Sequence, residues 1–332
     1  MDELIEGIMS SLAGWVHNMV ANWACSSLNG MFTNVNGQIG LIGAEVSATP
    51  ANFSTWGLST YAIIKTISDD VILPIGTLII TALMCYELVN AVLEKNAMHD
   101  MGSDFIFRWL MRACFSVLLL SMTFDISMAI FDLGGEIAST ATSHFTTGNT
   151  LDDSQFQVRD DIRNSEVNIN STVYSDLTLA EKALFGYEDN DGDYSPDPDE
   201  WVSNVGELIG IAIMALVCRF VLLGCYIIIQ ITLISRMIEI FMYLSVAPIP
   251  FATLTNREWG PIGTNYIKSL AALALQAFFI VICVGIYSMI IGGIGAATDL
   301  TAAMLEAVVA CVALIAGLRG SKNLAMSVMN AH

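Results

Sequence analysis

Charge is scarce in this sequence. Charged residues make up 14% of its 332 residues, against about 25% in ordinary soluble domains. Basic residues are scarcer still, 13 Lys and Arg against 32 Asp and Glu, for a formal net charge of −19. An acidic balance of that size excludes general affinity for nucleic acid, because phosphate binding needs a basic surface. Histidine is sparse and scattered, at His17, His99, His144 and His332. No nucleophile–base constellation, zinc spacing, P-loop or dinucleotide fingerprint is present, so the chain is expected to be no enzyme and to hold no standard cofactor. The seven cysteines (Cys25, Cys85, Cys114, Cys218, Cys225, Cys283, Cys311) show no CxxC or Cys/His spacing. They lie mostly in apolar runs and read as small buried hydrophobes. The N-terminus, MDELIEGIM, lacks a positive n-region, so no cleaved signal peptide is expected.

What the chain does have is apolar length. Hydrophobic residues reach 55%, and Val205 to Phe251 is a long apolar run with a single arginine, Arg219, in its most apolar part. A hydrocarbon core of about 30 Å needs about 20 apolar residues of helix, so this run exceeds one buried helix of a soluble domain. Four more apolar segments accompany it: Val71–Leu93 with Pro74 in its first turn, Phe105–Phe131, about Tyr266–Ile291 and about Ala302–Leu318. The expectation is an all-α polytopic membrane protein. Ahead of the spans, Leu4, Ile5, Ile8, Met9, Leu12, Trp15, Val16, Met19, Val20 and Trp23 form a helical stripe with polar residues opposite. That pattern predicts an amphipathic helix lying at the interface or packed between sister subunits.

The organisation follows. Residues 1–66 form an N-terminal region on the extracellular side, 67–132 the first two spans, 133–203 an acidic loop and 204–332 a C-terminal bundle. Between Leu151 and Glu200 stand 14 Asp and Glu against Arg159, Arg163 and Lys182, so this loop carries −11 of the net charge. Pro248 and Pro250 break the segment 237–252, which predicts a re-entrant hairpin with Arg236, Glu239, Pro248 and Pro250 as its motif. If it dips in and returns, Lys95, Arg108, Arg112, Arg236, Arg257, Lys268, Arg319 and Lys322 share one face. Positive charge near span ends marks the cytoplasm. Five full spans plus the hairpin then put the N-terminus outside the plasma membrane and the C-terminus in the cytoplasm.

Ionisable residues inside spans are expensive, and usually functional or paired. The candidates are Arg219 near mid-membrane, Asp125, Glu207 and Glu306 in the outer halves of their helices, and Glu87 and Glu239 near the inner ends. They make either a hydrated pathway or structural ion pairs. In the acidic loop, Asp189, Asp191, Asp193 and Glu200 are spaced like the ligands of a calcium loop. The sixth position, where an EF-hand takes Gly, is Tyr194 here. A solvated acidic loop is the alternative to calcium binding. The small residues of IIGGIGAATDLTAA (Ile290–Ala303) read as close helix packing or as a constriction around a central channel.

Three stretches carry a family resemblance: RMIEIFMYLSVAPIPFAT (Arg236–Thr253), the loop REWGPIG and the span YIKSLAALALQAFFIVI (Tyr266–Ile282). Together they resemble the TrbL-like polytopic subunits of conjugative type IV secretion systems. ISDDVILPIGTLIITALMCYELV (Ile67–Val89) looks like the first span of the Gram-positive branch. The resemblance extends over roughly residues 60–330 and leaves the loop Leu151–Trp201 unmatched. It implies an inner-membrane channel and scaffold subunit, a ring-shaped homo-oligomer that works with separate ATPases and helps pass single-stranded DNA and relaxase. Two rival readings remain. One is a secondary transporter or ion channel for a small solute, with Arg219 and its acids as the site, although the two halves show no inverted repeat. The other is a membrane anchor that displays the acidic loop.

Overall fold

The structure, a computed structural model, describes residues 54–94, 103–145, 198–294 and 300–331, with single positions between 19 and 50. The described residues are helical or in turns, with no strand among them. The helices are α1 (Ser54–Ile67), α2 (Leu73–Glu94), α3 (Ser103–Ser121), α4 (Thr123–Phe145), α5 (Pro198–Val246), α6 (Pro248–Thr253), α7 (Gly260–Ile294) and α8 (Leu300–Val328). Among the described residues, four helices are long and apolar enough to cross a membrane, or five if the bent pair α3–α4 is one span. The chain is an all-α polytopic membrane protein. Trp23 and Met19, from the amphipathic stripe, are helical and exposed, and the rest of that stripe lies outside the described residues.

The first span differs from the sequence reading, which opened it at Val71 with Pro74 in the first turn. The helix instead starts at Ser54 and runs through the proline by way of a π turn, Ser68–Ile72. Inside a helix, proline cannot donate to the carbonyl four residues back, and its ring collides with it. Widening one turn so that the Leu73 N–H reaches the Ser68 carbonyl relieves that collision without ending the helix.

The second span also differs. Phe105–Phe131 was read as one helix, but α3 and α4 meet at Met122 with a bend of 61°. No proline or glycine stands there. Hydroxyls compete for the carbonyls instead: Ser121 Oγ donates to the Leu118 carbonyl, and Thr123 Oγ1 to those of Leu119 and Leu120, at 2.8–3.0 Å. Such back-bonding from Ser and Thr bends helices.

The segment 237–252 divides differently from the sequence reading. α5 passes Ser235 without a break and runs 49 residues to Val246, about 73 Å at 1.5 Å per residue. Nothing between Arg236 and Val246 disfavours helix. Met237, Ile240, Phe241, Leu244 and Ala247 continue one buried stripe. The reversal comes at Ala247 and after, where α6 starts on Pro248 at its first position, a place where the missing N–H is harmless.

Contacts divide the chain into two compact units. One comprises Met1–Ile42, Phe145–Ile229 and Val284–Ala316. Its share of α5 buries Ala212, Ala215, Cys218, Leu222, Cys225 and Ile229, spaced by threes and fours. Its share of α8 buries Ala303, Met304, Ala307, Ala310, Cys311 and Leu314. Small residues on such stripes let helix backbones come close, which supplies van der Waals packing where lipid removes the hydrophobic drive.

The other unit comprises Gly43–His144, Gln230–Cys283 and Gly317–His332. Its core joins Phe124, Met128 and Phe131 of α4, the α5 stripe from Met237 to Ala247, Phe251 of α6, and Tyr266, Leu270, Leu273 and Ala274 of α7. Glycine is required at one crossing: a Cβ on Gly134 of α4 would stand 2.8 Å from the Ala274 carbonyl oxygen of α7.

Candidate functional site

Three of the six ionisable residues singled out in the spans, Glu87, Glu239 and Asp125, prove to be partnered, and the partners come from far along the chain. Glu87 of α2 is mostly buried, with its side chain 16% exposed. Arg112 of α3 donates to both its oxygens, at 3.3 and 3.4 Å. Asn256, in the turn before α7, donates from Nδ2 to Glu87 Oε1 at 3.3 Å. The Asn256 Oδ1 accepts from the N–H groups of Glu258 and Trp259, at 2.9 and 3.0 Å. Beside it, Ser116 of α3 donates to Thr255 Oγ1 at 2.6 Å. The α6–α7 turn is thus tied to α2 and α3 by a polar clasp whose amide is used on both sides. A clasp of this kind holds because truncating one member leaves a buried group unsatisfied, at about 1–3 kcal/mol.

Glu239 of α5 is paired with Lys322 of α8. Next to it, Gln276 of α7 donates to Ser321 Oγ at 3.5 Å, while the Gln276 Oε1 has no partner among the described residues. Arg236, one turn before Glu239, is only 6% exposed, and its Nε has no partner among the described residues. Asp125 pairs with Lys65 of α1 at 3.7 Å, and both side chains are open, at 67% and 42% exposure. Lys65 also stands 5.7 Å from the centre of the Phe124 ring, a cation–π contact.

Arg219 is different. It is exposed, and none of the ion pairs among the described residues involves it. Its guanidinium lies against Gly30, where a Cβ would sit 3.2 Å from Nη1. Glu306 of α8 is likewise exposed and unpaired among the described residues. The side chains of Glu207 and of the calcium candidates Asp189, Asp191, Asp193 and Glu200 lie outside the described residues. Among those that are described, no group of three His, Cys, Asp or Glu side chains is placed to hold a metal.

Sequence reasoning missed the partners Arg112, Asn256, Ser116 and Thr255. Arg112 was legible only as a basic residue near a span end. The Asn256–Glu87 bond beside it joins positions 169 residues apart, which no local pattern reports. Asn256 carried a local signal, because Asn readily accepts from N–H groups two and three residues on.

Comparison with known proteins completes the picture. A family model for the TrbL/VirB6 plasmid conjugal transfer like proteins matches residues 35–182. Over those residues the chain is similar to that family. That likeness agrees with the apolar helices, several of which are long enough to cross a membrane. The match is shorter than half of the chain. It contains Ile67–Val89, as the sequence resemblance implied, and also enters the acidic loop, for which that resemblance offered nothing. It stops short of Arg236–Gln276, which lay within the resemblance read from sequence. No curated protein and no solved structure matches the chain.

Proposed function

We propose that this protein is a channel and scaffold subunit of a conjugative type IV secretion system of the Gram-positive branch. It assembles as a homo-oligomeric ring and helps pass single-stranded DNA and relaxase across the plasma membrane. Separate ATPases drive the transfer, and the chain itself is neither an enzyme nor dependent on a cofactor. The family likeness supplies the setting. The observation that carries the reading is open charge on apolar helices. Arg219 and Glu306 are exposed, on helices that also expose Phe220, Leu223, Leu305 and Val309. A charge facing lipid at mid-membrane costs about 3 kcal/mol on insertion scales. Neighbouring subunits or a hydrated path remove that cost, and a ring around an aqueous conduit supplies both.

DNA capture during mating tests this reading. Formaldehyde treatment of mating cells should recover the transferred strand with this chain, and recovery should vanish when the transfer ATPase is absent. Strand recovered with other subunits but never with this chain would overturn the channel role.

The same reading puts the N-terminus outside and the C-terminus in the cytoplasm. Its support is the eight basic residues that share one face when α5 enters and α7 returns, namely Lys95, Arg108, Arg112, Arg236, Arg257, Lys268, Arg319 and Lys322. In a cysteine-free background, Arg257→Cys should resist a membrane-impermeant thiol reagent applied to intact cells and react once the membrane is opened. Labelling from outside would reverse the topology.

A further inference from the structure

Polar contacts fix the register of α5, α7 and α8 where they meet in the second unit. A Cβ on Gly317 of α8 would stand 3.2 Å from the Cys283 sulfur of α7, and Ser321 is bonded to Gln276. α8 therefore rises in number as α7 falls, and the two are antiparallel. The rings of Tyr243 (α5) and Tyr266 (α7) are 5.8 Å apart. Glu239 stands at the level of Lys322 and hence of Gln276. α5 also runs against α7, so α5 and α8 are parallel.

The Glu239–Lys322 ion pair thus aligns two parallel ridges. One turn back on each stands an arginine, Arg236 on α5 and Arg319 on α8. Residues three apart share a helix face, so both arginines fall at the same level, about 4.5 Å along the axis from the ion pair. The only carboxylate in this set, Glu239, is already held by Lys322. Arg236 is 6% exposed with its Nε unpartnered among the described residues, and Arg319 is exposed. Two arginines at one level, with the carboxylate of the set already paired, leave an excess of positive charge there that an anion would offset. A buried cation without a counter-charge is also among the more costly arrangements in a protein. Guanidinium forks match phosphate oxygens in geometry and charge.

We propose that Arg236 and Arg319, with Lys322 beside them, bind a phosphate group, that of an anionic phospholipid. Exposed Ile231 and Ile234 on α5 lie within two turns of this level, on the side away from the cytoplasmic end, and offer an apolar surface to acyl chains. Basic sites between spanning helices are suited to anionic headgroups. The site is independent of the conjugation reading.

Native mass spectrometry of the full chain, purified in detergent and titrated with phosphatidylglycerol or phosphatidylcholine, tests it. The chain should retain phosphatidylglycerol preferentially. Arg319→Gln should weaken that retention about fivefold, as expected for one basic residue near a charged headgroup. Arg236→Gln should act in the same direction, and Arg257→Gln, in the α6–α7 turn, should leave retention unchanged. Because Arg319 is exposed, its variant should keep the fold even if Arg236→Gln does not. Equal retention of the two lipids, or wild-type retention in Arg319→Gln, would overturn the site. Release of the lipid by millimolar inorganic phosphate would overturn lipid as the occupant.

Discussion

Arg219→Leu is expected to cut DNA transfer by about tenfold or more, the effect of about 1.4 kcal/mol on an assembly or gating equilibrium, without lowering the amount of protein in the membrane. The two readouts separate function from folding. A leucine in this apolar stretch inserts more readily than an arginine, by about 3 kcal/mol at mid-membrane. A purely structural view therefore expects the variant to be as abundant as the parent or more so. Loss of transfer at equal or higher abundance can then come only from what the charge does. Arg219 is exposed rather than locked to a described carboxylate, and its guanidinium rests on Gly30. Gly30→Val, which would crowd that guanidinium, should lower transfer in the same direction. Mating frequency and a membrane immunoblot read both variants. Wild-type frequency for Arg219→Leu at normal abundance would make the charge dispensable.

Gly134→Leu is expected to have the largest effect on stability. At the α4–α7 crossing a Cβ on residue 134 would meet the Ala274 carbonyl oxygen at 2.8 Å, its Cβ at 2.9 Å and its carbonyl carbon at 3.1 Å. Two of these are backbone atoms, which cannot rotate away as a side-chain tip can. Overpacking of this kind costs about 1–3 kcal/mol and sometimes more, and here it pries apart helices that share the core built on Phe131, Leu270 and Leu273. The unfolding midpoint of the detergent-purified protein should fall clearly. Gly320→Ala on α8 is the contrast. No atom lies within 4 Å of its Cβ position, and exchanging glycine for alanine inside an exposed helix stabilises by about 0.5–1 kcal/mol. A midpoint for Gly134→Leu equal to the parent's would show that α4 and α7 are not packed as described.

The same physics separates what could be read along the chain from what could not. The spans were legible because hydropathy is a local property that accumulates over about 20 residues. Where α5 would end was misread. Pro248 and Pro250 were taken as breaking a whole segment, whereas a proline perturbs chiefly the turn before it, and Met237–Val246 stays helical. At Pro74 the error ran the other way. A proline taken as a helix start is accommodated inside a longer helix by one π turn. The bend at Met122 left only a hydroxyl pattern, Ser121 and Thr123, which is common in straight helices too.

The amino-acid sequence by itself determined that this protein is a helical, multi-pass membrane protein, because lipid leaves an apolar backbone no alternative to internally bonded helices. It also determined which charges would need a reason to be in the membrane. Only the tertiary structure decided what each of them does: Glu87 is held by Arg112 and Asn256, Glu239 by Lys322 and Asp125 by Lys65, while Arg219 stays open and Arg236 is buried without a described acid. These pairings join residues 25 to 169 positions apart. They arise when packing of small and apolar faces sets the helix register, and a charge finds its partner only once that register exists.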